Sequence, residues 1–155
     1  GIIEADETFI GGRVKKKNRG GPHHLKPVLG IVEQKGKVLL KTIESHRKEH
    51  VMPFLKEYIT TDSTVVTDGS KSYFSAKNHF DKHIRMSHST GVFTRGIYHT
   101  NTIEGVWSQL KRAIIGQYHK ISEHYLPFYL DEISFKYNHR TSQDQGYNQL
   151  ISQML

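Results

Sequence analysis

Hydrophobic and polar positions change period several times along the chain, and each change predicts an element. Gly1 to Ile10 alternates as a short strand does, placing Glu4 and Asp6 on one face and Ala5 and Phe9 on the other. Pro27 to Glu33 and Lys37 to Ile43 are β-branched runs, and Lys35-Gly36 between them predicts a hairpin turn. From Arg47 to Ile59 the spacing becomes helical, with Val51, Phe54, Leu55 and Tyr58 on one apolar stripe. Ser63 to Thr67 then reads as a short buried strand ending at Asp68-Gly69. Strand, helix, strand implies a parallel crossover. Ser70 to Asn78 predicts a short helix and His83 to Met86 a fifth, weaker strand. A Gly-containing loop at Thr90 to Gly96 leads to two closing helices, Thr102 to Tyr118 and Ser122 to His139. The expectation is one α/β domain over residues 1–155 with a mixed sheet. Gly1-Ile2-Ile3 enters a strand without a cap or an initiating Met, as in a piece cut from a longer protein.

Composition narrows the chemistry. No apolar run approaches the roughly 18 to 20 residues of a membrane helix, and no leader opens the chain, so the expected location is cytoplasmic. There is no cysteine, which removes thiolate metal sites and thiol nucleophiles and leaves oxygen or imidazole as ligands. Lys plus Arg number 22 against 15 acids, a net charge of +7 that favours a polyanionic partner. The charge is also uneven. From Thr8 to Val32 there is no acid, while Arg13, Lys15, Lys16, Lys17, Arg19 and Lys26 share the stretch with Gly11, Gly12, Gly20, Gly21 and Pro22. That composition describes a flexible basic loop suited to meeting phosphate.

Three carboxylates occupy positions that are awkward unless used. Asp6 lies inside the first strand, and Asp68 ends the Val65-Val66-Thr67 strand, where the carboxyl ends of strands border a ligand crevice. Glu104 falls in the first turn of a helix whose apolar stripe is Ile103, Trp107, Leu110 and Ile114. Lys111 is seven residues on, about 700° around the helix, so it projects from nearly the same side. Asn101, three residues before Glu104, joins that side. Three oxygen ligands without cysteine suit Mg²⁺ or Mn²⁺, and two such ions about 3.5 to 4 Å apart would serve phosphodiester cleavage or transfer.

Glu4-Ala5-Asp6-Glu7-Thr8-Phe9-Ile10-Gly11-Gly12, Val65-Val66-Thr67-Asp68-Gly69, and His99-Thr100-Asn101-Thr102-Ile103-Glu104 running to Trp107 and Leu110-Lys111-Arg112 resemble the DDE transposases of bacterial insertion sequences, in the group related to Merlin elements. Between Asp68 and Glu104 lie 35 residues, a spacing common to such enzymes. The resemblance implies a ribonuclease-H-like fold with a five-stranded mixed sheet and two carboxy-terminal helices. It implies catalytic, metal-holding Asp6, Asp68 and Glu104, two Mg²⁺ or Mn²⁺ ions and no small-molecule cofactor. It further implies double-stranded DNA as substrate, both the element's ends and the target, with Lys111 near it. A homodimer, a nucleoid-associated bacterial location and a DNA-binding region ahead of this segment belong to the same picture. Some relatives use Asn as the third site residue, which keeps Asn101 as a lesser candidate. Expected DNA contacts are Arg13, Lys15, Lys16, Lys17, Arg19, Lys111 and Arg112.

Rival readings stand beside these. A purely hydrolytic, structure-specific nuclease of the same fold and a domesticated DNA-binding module without catalysis are the alternatives. Asn101-Thr102-Ile103-Glu104 is also a capping-box pattern, in which Glu104 would fold back to the backbone of Asn101. His46 and His50 match an inverted zinc-protease spacing, but their helix already spends its stripe on the core.

Overall fold

The computed structural model describes residues 1–11, 25–87, 94–114 and 122–140. Five strands form one sheet: β1 (Ile2–Gly11), β2 (Leu25–Glu33), β3 (Val38–Thr42), β4 (Thr64–Thr67) and β5 (Lys82–Arg85), in the order β3-β2-β1-β4-β5. β1 to β3 pair antiparallel, whereas β4 runs parallel to both β1 and β5. The helix α1 (Lys48–Tyr58) carries the chain from β3 across to β4. A 3-10 helical stretch, Lys71–Asn78, links β4 to β5. Two further helices, α2 (Asn101–Ala113) and α3 (Leu126–Asn138), follow. The fold is α/β, with a mixed ribonuclease-H-like sheet flanked by helices.

Each sheet face carries its own core. Ala5, Leu29, Ile31 and Val65 point to α1 and the 3-10 stretch, where Val51, Met52, Phe54, Leu55, Tyr73 and Ala76 meet them. Val28, Val32, Val38 and Leu40 point the other way, to Ile103, Val106, Trp107 and Leu110 of α2 and Leu126 and Leu130 of α3. β2 and β4 are therefore covered on both sides, which is why they read as near-continuous apolar runs. At roughly 1.5 to 3 kcal/mol for each large apolar side chain fully buried, the four α2 residues alone hold that helix firmly to the sheet.

Two expectations are corrected. Tyr58 is not part of the buried stripe; it is 40% exposed, packs against Phe54 with the rings tilted at 49°, and leaves Met52 to fill the core. The segment read as a loop up to Gly96 contains the start of a small hairpin, β6 (Thr94–Arg95) with β7 (Tyr98–His99), turning at Gly96 with a φ of 64°. Two-residue strands are too short for an alternation pattern to register. At the start of β3's outer edge a side chain pairs with the backbone: Asn138 Oδ1 accepts from the Val38 N–H at 2.7 Å, and its Nδ2 donates to the Val38 carbonyl at 2.9 Å. That satisfies the first outward backbone pair of an edge strand, one of the groups that would otherwise invite another strand.

Gly30 sits opposite Asp6 in the β1–β2 register and faces α2. A Cβ there would lie 2.6 Å from Trp107 Cη2 and 2.9 Å from Ile103 Cδ1, so the absence of a side chain is what lets the indole lie against the sheet. Gly30→Ala should destabilise the fold by about 1 to 3 kcal/mol, the usual cost of overpacking. Trp107 is the sole tryptophan, so a changed emission maximum together with a lowered urea midpoint checks it.

Candidate active site

Two acids on one face of β1 fasten α2 to the sheet. Glu4 is fully buried, and its Oε2 accepts the Ile103 N–H at 2.9 Å. Its Oε1 accepts from Gln34 Nε2 at 3.1 Å and lies 3.1 Å from His99 Nδ1, close enough for an ion pair but not aligned as a hydrogen bond. A carboxylate at a helix N-terminus takes an orphan N–H and meets the positive end of the helix dipole. Two residues along, Asp6 Oδ2 accepts from Trp107 Nε1 at 2.9 Å. The capping-box reading of Asn101 and Glu104 is thereby corrected. The helix is preceded by Thr100, Asn101 is its first residue, and the first-turn N–H of Ile103 goes to Glu4.

Asp6 and Asp68 come together just past the parallel β1–β4 ladder, Asp6 within β1 and Asp68 directly after β4. Ala5 and Thr67 are the last pair of the parallel β1–β4 ladder, and the two aspartates are the next residue on each strand. Asp68 is oriented by its own turn, its Oδ1 accepting the Ser70 N–H at 2.9 Å. Burial pushes the Asp6 carboxyl up to about 7, against the pull of the Trp107 hydrogen bond, and the charges of Glu7 and Asp68 push the same way. Glu7 is also raised, first by burial; Tyr73 donates its hydroxyl to Glu7 Oε2, which opposes the shift, and Asp68 adds to it. Sequence patterning gave Glu7 no role. The signal was present in the Asp6-Glu7 pair, but only the fold shows a fully buried Tyr73 meeting it.

Glu104 stands exposed on the first turn of α2, its Oε1 accepting the Thr100 hydroxyl at 2.9 Å. Among the described residues no three carboxylates or histidines gather into a metal-ligating group, so Glu104 is not assembled with the two aspartates. It lies one turn before Trp107 on the helix that docks on Asp6. Asn101, Lys111 and Arg112 are exposed, the last two in the final turn of α2. Arg13, Lys15, Lys16, Lys17 and Arg19 lie outside the described residues. Lys26 is described, 3.1 Å from Glu123. His50 is engaged by Ser45 and Glu44, and His46 packs edge-on to Phe9, so these two histidines do not converge.

A cleft opens beside Asp68, lined by Gly69, Ser70, His83, Arg85 and Arg95 among others. His83 Nε2 is 2.9 Å from Thr67 Oγ1, and that hydroxyl donates to the Asp68 carbonyl. The single hydroxyl proton being spent there, His83 must donate from Nε2. Burial, and secondarily Arg85, lowers the His83 pKa.

Residues 1–138 match the ISXO2-like transposase domain. The chain belongs to that family. It is also similar, at 26% identity over 111 residues, to an uncharacterized transposase-like protein of Haemophilus influenzae, an alignment covering 72% of this chain and 89% of that one. Among the described residues of this transposase domain, no helix is long and apolar enough to cross a membrane.

The donor chemistry fits a hard divalent cation: Asp6 and Asp68 are neighbouring carboxylates, and the Asp6 carboxyl is raised first by burial and further by the charges of Glu7 and Asp68, which a bound cation would offset. An acid whose folded pKa lies above its ordinary 3.8 favours the folded state at low pH and loses that advantage as pH rises through about 7. In chelator, Asp6 should therefore cost the transposase domain stability progressively between about pH 4 and 7, by at most about 4 kcal/mol. Glu7 acts in the same direction, whereas His83, with its lowered pKa, loses stability as pH falls. Urea titrations of the unaltered chain and of Asp6→Asn across this range isolate the Asp6 share. A difference between the two that does not grow with pH would contradict the raised carboxyl.

Proposed function

We propose that this domain catalyses divalent-metal-dependent cleavage and strand transfer of an insertion sequence's DNA, with residues 1–155 as its catalytic unit. The observation that carries the reading is the half-buried Asp6, tied to α2 by Trp107 and set beside Asp68 just past the last pair of the parallel β1–β4 ladder. Membership of a transposase family supplies the substrate class.

Asp6 and Asp68 would hold Mg²⁺ or Mn²⁺, two ions in the full site, with Glu104 as third ligand and Asn101 as its substitute. When bound, such ions supply Lewis acidity to the scissile phosphate and lower the pKa of an attacking oxygen. The chain's own contribution is placement. Trp107 occupies one oxygen of Asp6 and leaves the other available, and the Ser70 N–H does the same for Asp68. Water is the first nucleophile on the element's end, and the freed 3′-hydroxyl attacks the target strand second. Lys111, Arg112 and the basic stretch holding Arg13, Lys15, Lys16, Lys17 and Arg19 neutralise phosphates of the duplex. Joining two ends to one target requires two such sites, so a homodimer is part of the proposal.

Labelled end DNA incubated with Mg²⁺ or Mn²⁺ should give nicked and then joined products, and Asp6→Asn or Asp68→Asn should abolish both while retaining DNA binding. Nicks without joining would indicate a nuclease, and a mobility shift alone a binding module. Undiminished cleavage by Asp68→Asn, or cleavage in excess chelator, would end the metal account.

Glu104→Gln tests the third ligand separately. A Gln Oε1 can still accept the Thr100 hydroxyl, so the melting temperature should change little. Loss of the charge a divalent ion needs should lower activity by orders of magnitude. Full activity would pass the role to Asn101.

A further inference from the structure

We propose that the cleft beside Asp68 seats the DNA backbone next to the reacting phosphate, with Arg85 and Arg95 as its anchors. The inference rests on the transposase reading and extends it to residues that the motif pattern did not single out. A polyanion approaching Asp6, Glu7 and Asp68 is repelled by them, and the effect is strongest where burial lowers the local dielectric. A strand can be held there only if adjoining phosphates find positive charge.

The cleft supplies that charge in an organised form. Arg85 ends β5 immediately beside Thr67, the last residue of β4. Its guanidinium carbon lies 3.9 Å from the centre of the Phe74 ring, and its Nη2 donates to the Gly69 carbonyl at 3.3 Å. Among the described residues, stacking and a single carbonyl contact fix the planar group and leave most of its N–H donors for a bidentate partner such as phosphate. Arg95 lines the same cleft from the β6–β7 hairpin. Among the described residues no carboxylate forms an ion pair with either arginine. Gly69 adjoins Asp68 in sequence, so a phosphate on Arg85 belongs to a nucleotide close to the one being cut. The arginines are positioning residues; they act on the strand, not on the reacting atoms.

Duplex DNA binding by the 155-residue chain, followed by fluorescence polarisation at several salt concentrations with Ca²⁺ present, tests this. Arg85→Ala/Arg95→Ala should weaken binding for every sequence tried and flatten the log-affinity against log-salt slope by roughly 0.9 for each lost contact. Arg85→Lys/Arg95→Lys, which keeps both charges, should restore most of the slope, a rescue that a purely structural role would not show. Lys56→Ala, exposed on α1, should leave it unchanged. An unaltered slope in the double alanine variant, while the parent chain binds and cleaves DNA, overturns the subsite and leaves the transposase reading standing. A slope lost equally in the double lysine variant overturns it too, because charge would not be the cause. Failure of the parent chain to bind DNA overturns both readings.

Discussion

The docking of α2 on β1 is the constraint on which the remaining geometry depends. Glu4 and Asp6 are two residues apart on a strand, a rise of about 6.8 Å, and Ile103 and Trp107 are four apart on a helix, a rise of about 6 Å. These repeats nearly match, so one strand face presents two carboxylates at the spacing of one helical turn and a little more. One acid takes the Ile103 backbone N–H and the other the Trp107 indole N–H. The contact works only because Gly30, on the neighbouring strand opposite Asp6, has no side chain to hold the indole away. Helix position, strand face and a missing Cβ are thus a single fitted unit.

That fit carries an electrostatic conflict. Asp6 is desolvated by the helix that orients it and stands near two other carboxylates, with one indole N–H as side-chain relief. A structure selected for stability alone would place an apolar residue or a paired base there, since an uncompensated buried charge is costly. Clusters of like charge kept at the carboxyl ends of strands are where local rules are broken for chemistry. The neighbouring Glu7–Tyr73 pair and the Ser70 turn at Asp68 hold the same cluster in shape from its other side.

Much of this was legible in the sequence, and the reasons are specific. The period-two face of β1, the hairpin at Lys35-Gly36, the crossover helix and the order of the acidic motifs all follow from local pattern. Tyr58 was misjudged because a helical stripe says which side faces the sheet but not where the sheet ends. The β6–β7 hairpin was invisible because it spans too few residues for alternation. The capping pattern at Asn101 and Glu104 was a reasonable local reading, yet the cap came from Glu4, 99 residues away in sequence. No windowed pattern can carry such a contact. Arg85 and Arg95 carry no local signal for the same reason: the pairing of β5 with β4 brings the one beside Asp68, and the β6–β7 hairpin brings the other to the same cleft.

The division of labour within Glu4-Ala5-Asp6-Glu7 shows why motif identity and residue role are separate questions. All three acids are chemically similar, and strand alternation distinguishes only Glu7 from the other two. What separates Glu4 from Asp6 is depth. Glu4 lies under the start of α2, where a helix dipole, a glutamine and a histidine can satisfy its charge, so its negative charge is matched locally. Asp6 lies two residues nearer the strand's carboxyl end, where the helix offers only an indole N–H and the adjacent strand offers another aspartate. Moving one step along the same strand face converts a satisfied structural carboxylate into an unsatisfied one. The seating of Glu104 and Lys111 follows from the same cap, because both ride on the helix that Glu4 and Asp6 fix in register.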